Sequence, residues 1–133
     1  MKAELATEIS FSFPNEVGVL ARAARAFSNA GIGIKGILNY SKGSTTETFM
    51  VLSSGVEKAK QILTEQGVES VGEGSVVGVE VEGETGAIAE MAEKLSAAHI
   101  NISNLYVSES VRGPSIVYIA TNDDDKAVEV LNG

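Results

Sequence analysis

The stretch EVGVLARAARAFSNAGIGI, Glu16–Ile34, returns 68 residues later as ETGAIAEMAEKLSAAHINI, Glu84–Ile102. At that single offset, without a gap, Glu16 falls on Glu84, Gly18 on Gly86, Ala21 on Ala89, Ala24 on Ala92, Ser28 on Ser96 and Ala30 on Ala98. Ile32 and Ile34 fall on Ile100 and Ile102, and further along Lys58 meets Lys126, Ala59 meets Ala127 and Leu63 meets Leu131. Between these identities apolar residues replace one another, Leu20 with Ile88 and Phe27 with Leu95. A period of this length means that one structural unit occurs twice in the chain.

Each copy reads as the same series of elements. In ATEISFSF, Ile9, Phe11 and Phe13 alternate with polar residues, which predicts a half-buried strand. Leu20, Ala23, Ala24 and Phe27 stand at i, i+3, i+4 and i+7, which predicts an amphipathic helix from about Glu16 to Ala30. A strand from about Ile32 to Tyr40, the polar turn SKGST and the strand TETFMVLSS make a hairpin. The helix VEKAKQILTEQG follows, stopped by Gly67, and a short strand VESV closes the unit. The second copy offers strand VVGVEVEG, a helix from about Glu84 to Ala98, strand INISNLYVSE, a turn near Arg112 to Pro114, strand SIVYIAT and helix DDKAVEVL. The order β-α-β-β-α-β is the split βαβ, or ferredoxin-like, arrangement. The fold class expected is therefore α+β, with two antiparallel sheets carrying helices on one face, and units at 1–73 and 74–133.

The second unit has no counterpart of Val68–Val71, so it is expected to lack its last strand. An uncovered edge invites pairing. Residues Val68 to Val71, another subunit, or residues beyond a truncated end are the covers expected over Val76–Val81.

Within the first copy, GIGIKG, Gly31–Gly36, fits the G-x-G-x-x-G spacing of a dinucleotide-binding turn. That turn works between a strand and the start of a helix, where the helix N-terminus receives the pyrophosphate. Here the glycines follow a helix and precede a strand. Gly31 instead reads as the residue beyond the helix end, in the left-handed conformation. Ile32 and Ile34 read as the inward face of a strand, and Gly33 and Gly36 as small positions where another group comes close.

Composition excludes several functions. The 133 residues carry a formal net charge of −8 with no cluster of Lys or Arg to lie along a phosphate backbone, so nucleic acid is excluded as a direct partner. The absence of cysteine removes thiolate metal sites and cysteine nucleophiles. MKAELATEIS has no apolar signal region and no run of about 18 apolar residues exists, so a soluble, cytoplasmic protein is expected, with no membrane association.

The doubled unit, with FPNEVGVL in its first loop and helices running into AGIGI and AHINI, resembles the ACT domain family. The family signature, Asn or Asp, two residues, Gly, one residue, Leu, is matched by Asn15, Gly18 and Leu20. In the second copy Gly86 matches, Ile88 stands for Leu, and Gly83 occupies the Asn or Asp position. The later segment matches at Ala30 to Ile34 with Gly for Asn, and at Ala98 to Ile102 with His99 for Gly. The resemblance covers nearly the whole chain. It implies a free-standing pair of regulatory ACT units that binds a small molecule, most often an amino acid, between adjacent units. It further implies a homodimer or higher oligomer, a partner enzyme of amino-acid metabolism, no cofactor and no catalysis. The candidate ligand-binding residues are Asn15, Glu16, Val17, Gly18, Val19 and Leu20 in the first loop, and Glu84, Thr85, Gly86, Ala87 and Ile88 in the second.

The first loop also makes physical sense as a receptor for a carboxylate. First-turn amides lack intrahelical partners and the helix dipole favours negative charge there. Gly18 lets a ligand approach the backbone, and Asn15 can offer an oxygen to an ammonium or an N–H to a carboxylate. Asn15 equally fits a structural N-cap, and Glu16 a first-turn acid facing solvent. An interaction subunit that docks an enzyme without binding ligand is the alternative, supported by Gly83; a small ferredoxin-like enzyme is a third reading, for which no paired acid and base can be placed.

Other suggestive residues have ordinary explanations. His99, the one histidine, stands at a helix C-terminus where a cation is favoured. Asp123, Asp124 and Asp125 begin a helix, where they cap and complement the dipole. Tyr40, Tyr106 and Tyr118 lie in strands, but the acidic chain lacks the basic-aromatic pattern of an RNA platform. No nucleophile-elbow motif accompanies the many serines.

Overall fold

A computed structural model describes residues 1–14, 17–42, 46–68, 71–82, 86–108 and 113–133, with the backbone alone at 13, 14, 19, 39–42 and 46–53. Ten elements follow in the order β1 (Lys2–Pro14), α1 (Val19–Asn29), β2 (Ile34–Lys42), β3 (Thr46–Ser53), α2 (Val56–Glu65), β4 (Val71–Val81), α3 (Ala87–Ala97), β5 (Ile102–Ser108), β6 (Ser115–Thr121) and α4 (Asp124–Asn132). They divide into two units, Thr7–Gly74 and Ser75–Gly133 together with Met1–Ala6. The fold is the ferredoxin-like α+β arrangement expected, and the first six residues join the second unit.

Within 7–74 the strand order is β2-β3-β1-β4. β1 and β3 pair antiparallel with Ile9 opposite Val51, and β2 and β3 pair antiparallel with Ile37 opposite Val51. The inward residues Ile9 and Phe11 pack with Ala23 and Phe27 of α1 and Ala59 and Leu63 of α2. The Phe11 and Phe27 rings lie 6.1 Å apart in a tilted contact, a favoured aromatic geometry. Phe13, expected on the same face, has no described side chain.

Within the other unit the order is β1-β4-β6-β5. Its core is aliphatic: Val77 and Val79 of β4, Val117 and Ile119 of β6, Met91 and Leu95 of α3, Ala127 and Leu131 of α4. The strand that this unit lacks at the end of its sequence is supplied by residues 2–6. Ala3 belongs to the core cluster, and the Asn132 side chain grips its backbone at both ends of the peptide. The Ala3 N–H donates to Asn132 Oδ1 at 2.7 Å and Asn132 Nδ2 donates to the Ala3 carbonyl at 2.8 Å. Val76 to Val79 are consequently buried. The cover is thus none of the three expected, but the opening residues of the chain.

The helix ends explain why Gly31 stands where it does. Gly31 has φ 71°, the Gly31 N–H donates to Ser28 O at 3.0 Å and the Ile32 N–H to Phe27 O at 3.0 Å. This is a Schellman ending, closed by an apolar contact between Ile32 and Phe27. Gly67 and Val68 end α2 with the same bonds to Thr64 and Leu63. Val68 is therefore a helix-closing residue rather than part of a strand, and the expected VESV strand gives way to β4 from Val71. Ile32 and Ile100 are likewise buried closing residues that precede β2 and β5, while Ile34 is 38% exposed; the inward strand face expected of Ile32 and Ile34 is corrected accordingly. Gly33 is not crowded either, since a side chain there would meet Ser54 Oγ no closer than 3.8 Å.

In the second copy His99 takes the place of Gly31, with φ 59°. Its bonds are the same: His99 N–H to Ser96 O at 2.9 Å and Ile100 N–H to Leu95 O at 2.9 Å. Two lysines complete the pattern. Lys58 Nζ donates to the Ala30 carbonyl at 2.7 Å and Lys126 Nζ to the Ala98 carbonyl at 3.1 Å, each placing a cation at the negative end of a helix. The lysine pair of the repeat is thus a device holding the second helix of each unit to the end of the first.

Candidate functional site

Both expected loops lead from a long strand into a helix. β1 ends at Pro14 and β4 at Val81, and α1 and α3 begin at Val19 and Ala87. Each helix starts about three residues later than its periodicity suggests, because the N-cap is a glycine that carries no side-chain signal. Gly18 has φ 90° and ψ −2°, and Gly86 has φ 99° and ψ −5°. Both values lie in a region that costs an L side chain roughly 1–2 kcal/mol. The Gly18 carbonyl accepts the first helical bond from Arg22 N–H at 3.0 Å, and the Gly86 carbonyl from Glu90 N–H at 2.9 Å. Among the described residues, a Cβ at either glycine would meet nothing within 4 Å. Conformation demands glycine here.

Asn15, Glu16, Glu84 and Thr85 lie outside the described residues, as does Gly83. The N-cap of α1 is Gly18, so the capping place expected of Asn15 belongs to a glycine. Glu16 precedes the helix, and the first turn of α1 holds no acidic residue. Val17 stands fully exposed beside Gly18, and Leu20 and Ile88 occupy equivalent places at 45% and 44% exposure. Val19 and Ala87 open the helices, with Ala87 packed against the second unit's core.

Beside the second loop lies a cleft of about 440 Å³ bordered by Gly86 and Ala87, by Lys2, and by Glu80, Glu82 and Glu90. Glu90 also stands 3.8 Å from Lys94 along α3. The sequence reading did not single out these glutamates, although the acidic alternation EVEGE from Glu80 signals Glu80 and Glu82. A larger open groove of about 750 Å³ runs along α1 past Arg22, Arg25 and Ser28 to Gln66, on the outer side of the helix rather than at Gly18.

Elsewhere the aspartates behave as helix-starting residues. Asp123 Oδ1 accepts from Lys126 N–H at 3.1 Å, and Asp124 accepts from Thr121 N–H at 3.0 Å and from Ser75 Oγ at 2.5 Å. No group of three or more metal-ligating side chains occurs among the described residues. No helix among them is long and apolar enough to cross a membrane.

A β-α-β-β-α-β unit and a second unit whose last strand is replaced by residues 2–6, each with a glycine-capped first helix, have the ACT-type ferredoxin-like fold. The solved structures agree. A protein from Bacteroides thetaiotaomicron superposes with a TM-score of 0.88 at 23% identity, covering 98% of this chain and 88% of that one. The ligand-free regulatory subunit of aspartate kinase from Thermus thermophilus superposes with a TM-score of 0.69 at 17% identity, covering 99% and 95%. A structure of aspartokinase alpha and beta subunits gives 0.65 at 21% identity, covering 99% and 95%. No protein-family model matches the sequence, and no curated protein matches it.

Proposed function

We propose that this chain is a non-catalytic regulatory protein of two ACT units, at 1–73 and 74–133 in the sequence, that binds a small molecule, in particular an amino acid. The observation that carries the reading is the pair of glycine N-caps, Gly18 and Gly86, in the same left-handed conformation, with no described atom within 4 Å of a Cβ at either. Such a junction suits a carboxylate, because exposed first-turn amides and the helix dipole both favour an anion. The likeness to the regulatory subunit of aspartate kinase supports a role in amino-acid metabolism. We extend the reading to a homodimer that acts on a partner enzyme in the cytoplasm.

Titration calorimetry and thermal unfolding with each of the twenty amino acids test it. One amino acid is expected to raise the melting temperature by mass action, at 100 times its Kd contributing about 2.7 kcal/mol. Asn15→Ala and Gly18→Ala weaken that response while the fold persists. No response to any of the twenty removes the reading. A second reading, an interaction subunit whose loops hold no ligand, is favoured at the second loop by Glu80, Glu82 and Glu90, whose charges oppose a carboxylate. Under it, the melting temperature responds to a partner protein and to no amino acid.

A further inference from the structure

The outer faces of α1 and α3 carry the same small residues and, on one flank, charges of opposite sign, with Lys94 beside Glu90 on α3. Each helix has 11 residues. On α1 the small residues Ala21, Ala24 and Ser28 form an outward ridge, and on α3 the ridge is Ala89, Ala92 and Ser96 at the 68-residue offset. One flank of each ridge carries a single exposed apolar residue, Leu20 or Ile88. The other flank carries Arg22 and Arg25 on α1, but Glu90 and Glu93 on α3, all four exposed. The exchange of arginine for glutamate at two equivalent positions, while the ridge between them is unchanged, is charge complementarity between two parts of one sequence.

We propose that α1 of one copy of this chain packs against α3 of a second copy, ridge on ridge. Small residues let two helix axes approach to about 8 Å. The direction follows from the flanks. Laid face to face and antiparallel, the two helices set the Leu20 flank over the Ile88 flank and the arginine flank over the glutamate flank. Arg22 then faces Glu93 and Arg25 faces Glu90. A parallel arrangement lays arginines over Ile88 and leaves the charges unmatched. Each chain carries one face of each sign, so copies of a single chain supply both halves of the contact. The surface is separate from the loops at Gly18 and Gly86 and does not depend on their binding a ligand.

Sedimentation equilibrium of the full chain tests this. The wild type is expected to self-associate in the micromolar range, less tightly as salt rises. Arg22→Glu with Arg25→Glu, and separately Glu90→Arg with Glu93→Arg, each set like charges together and raise the dissociation constant about 100-fold or more. Mixed one to one, these two variants form a heterodimer, and the fourfold exchange in one chain restores self-association. Far-UV circular dichroism checks that the helices persist; if a double variant unfolds, the single variants Arg25→Glu and Glu90→Arg are mixed in the same way. A monomeric wild type, self-association untouched by either reversal, or reversed variants that fail to pair when mixed overturns the proposal.

Discussion

The two units share their backbone devices and differ in what they place on them. Each starts its first helix on a left-handed glycine, ends it with a Schellman turn, and ties that end to a lysine of its second helix. Around this common frame, unit 7–74 has a phenylalanine pair in its core, a glycine at the first helix end and arginines on its outer helix. The unit of 75–133 with 1–6 has an aliphatic core, a histidine at that end, and glutamates on the helix and around the loop. The frame is held by hydrogen bonds whose geometry admits few residue types. The surface charge is free to diverge, and it has.

Core truncations set the largest contrast. Phe27→Ala and its counterpart Leu95→Ala, both buried, are expected to lower unfolding free energy in denaturant titration by about 3–5 and 2–5 kcal/mol; equal and small losses would show that the two cores do not carry their units. Asn132→Ala comes next. It removes both bonds to Ala3 and costs about 2 kcal/mol, with hydrogen exchange accelerating at residues 2–6. The hydroxyl of its counterpart Thr64 donates to the Lys60 carbonyl one turn earlier in the same helix, so Thr64→Ala should change stability by less. Gly18→Ala and Gly86→Ala should each cost roughly 1–2 kcal/mol for the positive φ, and a marked inequality would break the equivalence of the two junctions. The helix ends respond in opposite directions: Gly31→Ala loses about 1 kcal/mol, whereas His99→Gly gains a similar amount by relieving the left-handed backbone.

The smallest effect concerns alkaline pH. Burial, and secondarily the charge of Glu4, raise the Tyr118 phenol above its ordinary value. A raised folded value means that the unfolded chain loses this proton first. Its contribution is complete below the ordinary tyrosine range and disappears as pH rises through the raised value. Tyr118→Phe should flatten that alkaline decline in melting temperature. The counterpart in the other unit is Met50, which has no proton to lose.

The repeat made the architecture readable, because Lys58 and Lys126, or Ala30 and Ala98, are kept by bonds that both units need. Helix starts were read too early because glycine N-caps lack the Ser, Thr, Asp or Asn that marks a helix beginning. The strand at residues 2–6 is hard to read because KAELA offers little alternation and its partners, β4 and Asn132, lie far along the sequence. The loop glycines were legible as a motif, yet the reason for glycine is a backbone angle, which sequence does not display. The opposite charges of Arg22 and Glu90 are visible in the sequence; their equivalent exposure makes them a pair of matching faces.

The clasp of Ala3 by Asn132 has a consequence for how the protein is made. Residues 2–6 leave the ribosome well ahead of their side-chain partner, which is 129 positions further along. At roughly 5–20 residues per second, that wait lasts on the order of ten seconds. Unit 7–74 has all its own residues well before then, while the other unit must hold its place open for a strand already synthesised. A contact that occupies those few residues during synthesis is therefore felt in the unit of Ser75–Gly133.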